Sequence, residues 1–275
     1  MREWIVNSSQ LSDVGQKRRH NEDYVGFYEP REIADLEAHG RLYVLADGVG
    51  GATAGDIASK YAVKRIMHTY YKSAGEDTGD RLRRVIEGAN AEIFAQNLGR
   101  PDNREMATTV VAAVIRGNEL IVANVGDSRA YLIRGEIIEQ ITEDHSLMNE
   151  MIKDGAITAE QAATHPYRNV IMRSVGAHET VQVDVFVRQL SPDDILILCS
   201  DGLTRLVNNS ELVDIACASP PDEATRQLVA LANERGGDDN ISVSITIVSH
   251  DRVQRDMPGA GQLPEMPRWE DLHRS

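Results

Sequence analysis

The chain has 275 residues, 41% hydrophobic and 26% charged, with a formal net charge of -14. This is enough apolar material for a sizeable core and excludes global disorder, and the acidic balance excludes partners that demand a basic surface, nucleic acid and anionic membrane among them. Two cysteines, Cys199 and Cys217, cannot build a disulfide framework or a cysteine zinc cluster within the chain. With no apolar signal-peptide core in MREWIVNSSQLSDVG and no apolar run of about 20 residues, a cytoplasmic protein without a membrane span is expected.

In chain order, the run Arg41-Leu42-Tyr43-Val44-Leu45-Ala46 predicts a buried strand that ends at Asp47. Ala54, Ile57, Ala58, Tyr61, Ala62 and Ile66 recur at helical spacing, as do Leu82, Val85, Ile86, Ala89 and Ile93, so two amphipathic helices follow. From Met106, TTVVAAVI, ELIVANV, RAYLIR and EIIEQI are short β-prone runs joined by turn residues, which predicts an antiparallel meander. Residues 144–180 are more polar, with short helices expected at Ser146–Lys153 and Thr158–Ala163 and a break at His165-Pro166, in the manner of a mobile insertion. Strands are expected at Val181–Val187, Ile195–Cys199 and Ile241–Val248, with a helix at Asp222–Glu234. Residues 1–250 thus form one α+β domain, and residues 251–275, with three prolines and no periodicity, are expected to be a flexible tail with Trp269 as an exposed aromatic.

Aspartates stand beside glycine at three strand ends: Asp47-Gly48, Asp201-Gly202 and Gly236-Gly237-Asp238-Asp239-Asn240. A single Asp-Gly pair usually caps a turn. Three of them, carried on separate strand ends, can converge on one point, and oxygen ligands of this kind suit hard divalent cations such as Mg²⁺ and Mn²⁺. Spacing permits that arrangement without requiring it.

Seven ordered motifs go further: SDVGQKRRHNED at Ser12–Asp23, ADGVGGATAGDIAS at Ala46–Ser59, ATTVVAAVI at Ala107–Ile115, NVGDSRAYLIR at Asn124–Arg134, TEDHS at Thr142–Ser146, LCSDGLT at Leu198–Thr204 and GGDDNISV at Gly236–Val243. Together they resemble the metal-dependent protein phosphatases of type 2C, the PPM family, in its bacterial branch, over residues 8 to 248. The resemblance implies a four-layer αββα sandwich, two antiparallel sheets flanked by helices, with residues 144–180 as a flap subdomain. It implies two divalent metal ions, Mn²⁺ or Mg²⁺, with Asp47 bridging them, the Gly48 carbonyl on one, and Asp201 and Asp239 on the other. Glu22 and Asp23 match positions that hold metal-bound waters, and Asp127 matches a ligand of a third, weaker metal, although a turn-forming aspartate between strands is an equal alternative. Arg18, three residues after Gly15 and three before Asn21, matches the arginine that grips the substrate phosphate, a task its planar, always-charged fork suits. Lys17 and Arg19 are expected to be solvated.

The activity so implied is hydrolysis of phosphoserine and phosphothreonine on proteins without a protein nucleophile, since two metals about 3.5–4 Å apart can activate a shared water and stabilise phosphoryl charge. Arg18, Asp47 and Asp239 would carry it. Phosphoprotein substrates, a bacterial Ser/Thr protein kinase as the opposing enzyme and a monomeric state are the implied partners and assembly. Many eukaryotic members place a histidine after the Asp-Gly pair to protonate the leaving oxygen; here that position is Val49, which leaves the general acid unassigned. His145 belongs to the stretch leading into the flap, and Asp144 and Ser146 are expected to brace or cap. Cys199 is not a cysteine-phosphatase nucleophile: Arg205 lies six residues on, the loop glycines are missing, and the apolar run points the thiol to the core. Arg168 and Arg173 could meet acidic substrate segments or simply be surface arginines. A catalytically silent scaffold would have lost a metal aspartate or the phosphate arginine, and none is lost. A nucleotide hydrolase would favour a Gly-x4-Gly-Lys-Ser/Thr loop, and none is present.

Overall fold

The computed structural model describes residues 4–49, 54–73, 75, 77–99, 105–249 and 263–272. The chain begins with β1 (Ile5–Asp13), β2 (Tyr24–Tyr28), α1 (Ile33–His39), β3 (Arg41–Ala46) and the short β4 (Gly48–Val49), then two long helices, α2 (Gly55–Lys72) and α3 (Thr78–Leu98). A meander follows: β5 (Ala107–Thr108), β6 (Val110–Arg116), β7 (Glu119–Val125), β8 (Arg129–Arg134) and β9 (Ile137–Gln140). The flap contributes α4 (Leu147–Lys153) and α5 (Ala159–Ala163). Then come β10 (Asp184–Gln189), β11 (Ile195–Cys199), α6 (Asp201–Thr204), α7 (Asn209–Ala218), α8 (Pro221–Glu234), β12 (Ile241–Ser249) and α9 (Trp269–Leu272).

Two five-stranded sheets, ordered β1-β12-β11-β8-β9 and β10-β7-β6-β3-β2, are antiparallel throughout. Strand side chains alternate faces, and this period of two builds the layers. On β3 and β6, Leu42, Val44, Ala46, Val110, Ala112 and Val114 pack under α2 and α3, while Tyr43, Leu45, Val111, Ala113 and Ile115 face the other sheet. On β11, Ile195, Ile197 and Cys199 meet α7 and α8, while Leu196 and Leu198 join the core between the sheets. Both faces of the central strands are therefore buried, which is why they read as continuous apolar runs. The expected four-layer sandwich is what the chain forms.

Several elements differ from expectation. β1 was not predicted, because NSSQLSD lacks apolar alternation; its ladder comes from an unbroken nine-residue register with β12. α7 was also missed, although Asn208 and Glu211 form a capping box that the sequence displays. β10 starts three residues later than expected, where Asp184 pairs with Asn124 of β7. The flap is tied at its base by bridges between Ser146 and Ile171 and between Thr108 and Val175.

The expectation of a flexible end with an exposed Trp269 is corrected over residues 263–272; residues 251–262 lie outside the described part. Trp269 stacks on Tyr61 of α2 with ring centroids 3.8 Å apart, Leu272 is buried in the core under α2 and α3, and the Pro264 carbonyl lies 3.1 Å from His68 Nδ1. Aromatic area and one buried leucine outweigh the low apolar content of the segment. Among the described residues no helix is long and apolar enough to cross a membrane.

Candidate active site

Each acidic residue is carried at the end of a buried strand, so the sheets fix its position. Asp47 follows β3; its N–H donates to Thr109 Oγ1 at 3.1 Å, and its carbonyl accepts from the Thr109 N–H and the Thr108 hydroxyl, both at 2.8 Å. Asp201 opens α6 directly after β11, and Asp239 stands before β12. The glycines beside them serve close approach. A Cβ on Gly48 would lie 2.5 Å from the Gly55 backbone and 2.6 Å from the Glu22 carbonyl, and one on Gly202 would lie 2.0 Å from the Asn240 carbonyl. Only glycine lets these backbones meet.

Asn240 is the knot that joins the first motif to the last. Its amide nitrogen donates to the carbonyls of Val14 (2.9 Å) and His20 (3.0 Å), and its Oδ1 accepts from the Glu22 N–H at 2.9 Å. The loop bearing Arg18 is thereby held over Asp239, and Arg18 donates from a terminal nitrogen to Asp239 Oδ2 at 2.9 Å. Ser59 of α2 donates to the Glu22 carbonyl at 2.6 Å, which docks the helix against the same loop. Lys17 pairs with Asp238 at the surface, and Arg19 and His20 are exposed, as expected.

The carboxylates shape one another's chemistry. Burial, reinforced by the charges of Asp23, Asp201, Asp127 and Asp239, holds Asp47 well above the usual carboxylate range. Burial likewise pushes Asp23 up to about 7, with Asp201 adding to the effect, and Asp127 up to about 7, with Asp201 and Asp144 adding. Asp201 is raised by burial and by Asp239, against the opposing pull of Arg205. Glu22 is raised by burial, against Arg18. Burial works against the charge of Arg18, but Asp239, Glu22 and Asp47 outweigh it and its proton is held more tightly than usual. Both carboxylate oxygens of Asp23, and Oδ1 of Asp127, are buried without a hydrogen-bond partner.

Buried, mutually repelling, unpartnered carboxylates are a poor folding investment unless cations join them. Their oxygens, and the close backbone approach at Gly48, fit hard divalent ions. Among the described residues no three such side chains close on one point as a preformed cage; the aspartates line the pocket from separate strand ends. The structure thus brings Arg18, Glu22, Asp23, Asp47, Gly48, Asp127, Asp201 and Asp239 into one electrostatic neighbourhood. Gly50–Thr53 of the second motif lie outside the described residues.

The other residues that the sequence singles out surround the acidic group without belonging to it. Cys199 is fully buried, its thiol pushed up to about 12 by burial. Asp144 accepts a two-pronged bond from Arg129 at 2.6–3.0 Å, and Ser146 caps α4. His145 Nδ1 accepts from the Gly126 N–H at 3.0 Å, steadying the turn that bears Asp127. Arg173 is spent on Asp184 at 2.9 Å, whereas Arg168 is exposed. Two residues of the site, Asn240 and Arg205, have no role that the sequence assigns. Asn240 was signalled only by its place after Asp239. Arg205 was signalled by its i, i+4 spacing from Asp201 on one helical turn, and its guanidinium pairs with that carboxylate and lies 3.6 Å from Asp239 Oδ2.

Comparison with known proteins agrees with this geometry. The family model described as Protein phosphatase 2C matches residues 16–230. Protein phosphatase PhpP of Streptococcus pneumoniae is 40% identical over 252 residues, covering 90% of this chain and 99% of that protein. The serine/threonine phosphatase structure of S. agalactiae superposes with a TM-score of 0.81 at 35% identity, over 88% of this chain and 99% of that one. The catalytic domain of the serine/threonine phosphatase PstP, solved in complex with two manganese ions, superposes with a TM-score of 0.78 at 31% identity, over 90% and 100%. The family model covers more than half of the chain and the relatives about nine-tenths of it, and the chain belongs to the protein phosphatase 2C family.

Proposed function

We propose that this protein removes phosphate from phosphoserine and phosphothreonine side chains of proteins, with Asp47 and the Gly48 carbonyl holding a pair of divalent cations that Asp201 and Asp239 complete. The observation that carries this reading is the group of buried carboxylates that raise one another's proton affinity, with the half-exposed Arg18 held against Asp239 beside them. Glu22 and Asp23 would act through ordered water and Asp127 would hold a third, weaker ion. Bound there, Mn²⁺ or Mg²⁺ supplies Lewis acidity that activates water and offsets phosphoryl charge.

The chain's own part is to place and to hold. Asn240 keeps the Arg18 loop over the acidic pocket, so the guanidinium meets two phosphate oxygens and fixes the ester bond in line for attack. Val49 sits in the β4–β5 pair opposite Ala107 and has no proton to give, so the departing side-chain oxygen takes its proton from water. Phosphoprotein substrates follow from the family; a Ser/Thr protein kinase that installs the phosphates, a monomeric state and a cytoplasmic site are the further parts of this reading.

The test is phosphate release from a phosphothreonine peptide by purified protein, with and without Mn²⁺ or Mg²⁺, beside Asp239→Asn. Turnover that needs added metal and falls by at least about 100-fold in the variant is expected. Folded protein that shows no turnover with either metal would sink the reading.

A further inference from the structure

Arg205 has no role in the mechanism above, yet its side chain enters the acidic pocket. It leaves the end of α6 one turn after Asp201, pairs with the Asp201 carboxylate, and lies 3.6 Å from Asp239 Oδ2. Arg18 reaches that same oxygen at 2.9 Å. Two guanidiniums, from the first and the last third of the chain, therefore converge on one carboxylate oxygen. Arg205 is about a third exposed and Arg18 about half, so both open to solvent where a substrate enters.

We propose that Arg205 is a second anion-binding residue of the active site, held by Asp201 and Asp239 until a divalent cation takes those carboxylates, and then turned to the phosphate beside Arg18. This rests on the reading of Asp201 and Asp239 as metal ligands. The physical case has two parts. A guanidinium and a divalent cation cannot both be satisfied by the same carboxylate oxygens, so Arg205 competes with metal, and removal of a competitor tightens metal binding. Once released, a long cationic side chain that starts one turn after Asp201 is within reach of the phosphate that Arg18 grips, and also of Asp127, whose charge it already feels. Guanidinium forks suit the paired oxygens of the phosphate, and two arginines share a dianion better than one.

The experiment compares Arg205→Ala and Arg205→Lys with the parent protein in two calorimetric titrations and one kinetic measurement. In the first, metal-free protein is titrated with Mn²⁺; Arg205→Ala is expected to bind about fivefold tighter, the size of a partly exposed ion pair. In the second, Mn²⁺-loaded protein is titrated with inorganic phosphate; Arg205→Ala is expected to bind about tenfold more weakly, with Arg205→Lys between. In the third, KM for a phosphothreonine peptide rises about tenfold while kcat stays within about threefold, as loss of a group that binds substrate and transition state alike predicts. Unchanged or weaker Mn²⁺ binding by Arg205→Ala overturns the proposal, and so does tighter Mn²⁺ binding with phosphate affinity unchanged. If the parent protein shows no turnover, the phosphatase reading fails, and the two titrations still decide Arg205. Should Arg205→Ala not fold, Arg205→Gln, which keeps the stem and removes the charge, carries the same titrations.

Discussion

Without metal, this protein should become more stable as the solution is acidified from pH 8 to 5.5. Asp23 and Asp127 are both buried, and each is pushed from the ordinary 3.8 to about 7. Between those values the folded chain binds more protons than the unfolded one, so stability falls as pH rises through the folded pKa and is gained as pH falls through it. At about 1.4 kcal/mol per pH unit, each group contributes roughly 2 kcal/mol between pH 7 and 5.5, about 4 kcal/mol for the pair as an upper figure. His145 opposes this, because burial lowers its pKa and the unfolded chain takes up a proton first. Carboxylates held low by partners, Glu211 at about 2 beside Arg235 among them, give up their contribution only at more acid pH. The upper figure of about 4 kcal/mol for the aspartate pair corresponds to a rise in Tm of at most roughly 8–16 °C for a chain of this size, less what His145 takes back. The assay is calorimetric melting in chelator at pH 8, 7, 6.5 and 5.5, beside the Asp23→Asn, Asp127→Asn double variant, whose profile should be shallower than the parent's but keep its sign, because Asp47, Asp201 and Glu22 are still raised by burial. With saturating Mn²⁺ the trend should reverse, because protons and cation compete for the same oxygens. A metal-free Tm that is level or falls on acidification, in the parent protein, refutes the electrostatic account of the pocket.

Three further outcomes are expected. Asn240→Ala should cost roughly 3–5 kcal/mol, because the Glu22 N–H and the Val14 and His20 carbonyls lose their shared partner, and should lower kcat/KM as the Arg18 loop loosens; denaturant melts and peptide kinetics check both. Trp269→Ala should lower stability by about 1–3 kcal/mol through loss of the Tyr61 stack, with kcat unchanged; equal melts for variant and parent would show that the segment contributes nothing to stability. Cys199→Ala should keep full turnover, and thiol reagents should leave the parent protein active, since the buried thiol at about 12 stays protonated. A Cys199→Ala protein that folds but has lost turnover would overturn that expectation.

The local signals in this sequence were strong where one strand or one turn settles the matter. β3, β6, β7 and β11 are buried on both faces, so apolar runs announce them, and β3, β7 and β11 each deliver an aspartate just past their ends. Asp47-Gly48 and Asp201-Gly202 are legible as Asp-Gly pairs at strand ends, whereas the contacts that require the glycines, with Gly55, Glu22 and Asn240, are set by the fold. Tertiary structure alone decided the rest. β1 exists because β12, more than 200 residues later, offers it a register. Asn240 matters because three backbone groups from residues 14–22 meet it, and Arg205 because one helical turn aims it back at carboxylates from two different strand ends. Trp269 finds Tyr61 across a separation that no periodicity encodes. The sequence by itself determined which residues can carry oxygen ligands and guanidinium forks, since that is covalent chemistry and short-range turn geometry; which of them share a pocket depended on long-range strand pairing, whose partners are set by the packing of the whole sandwich.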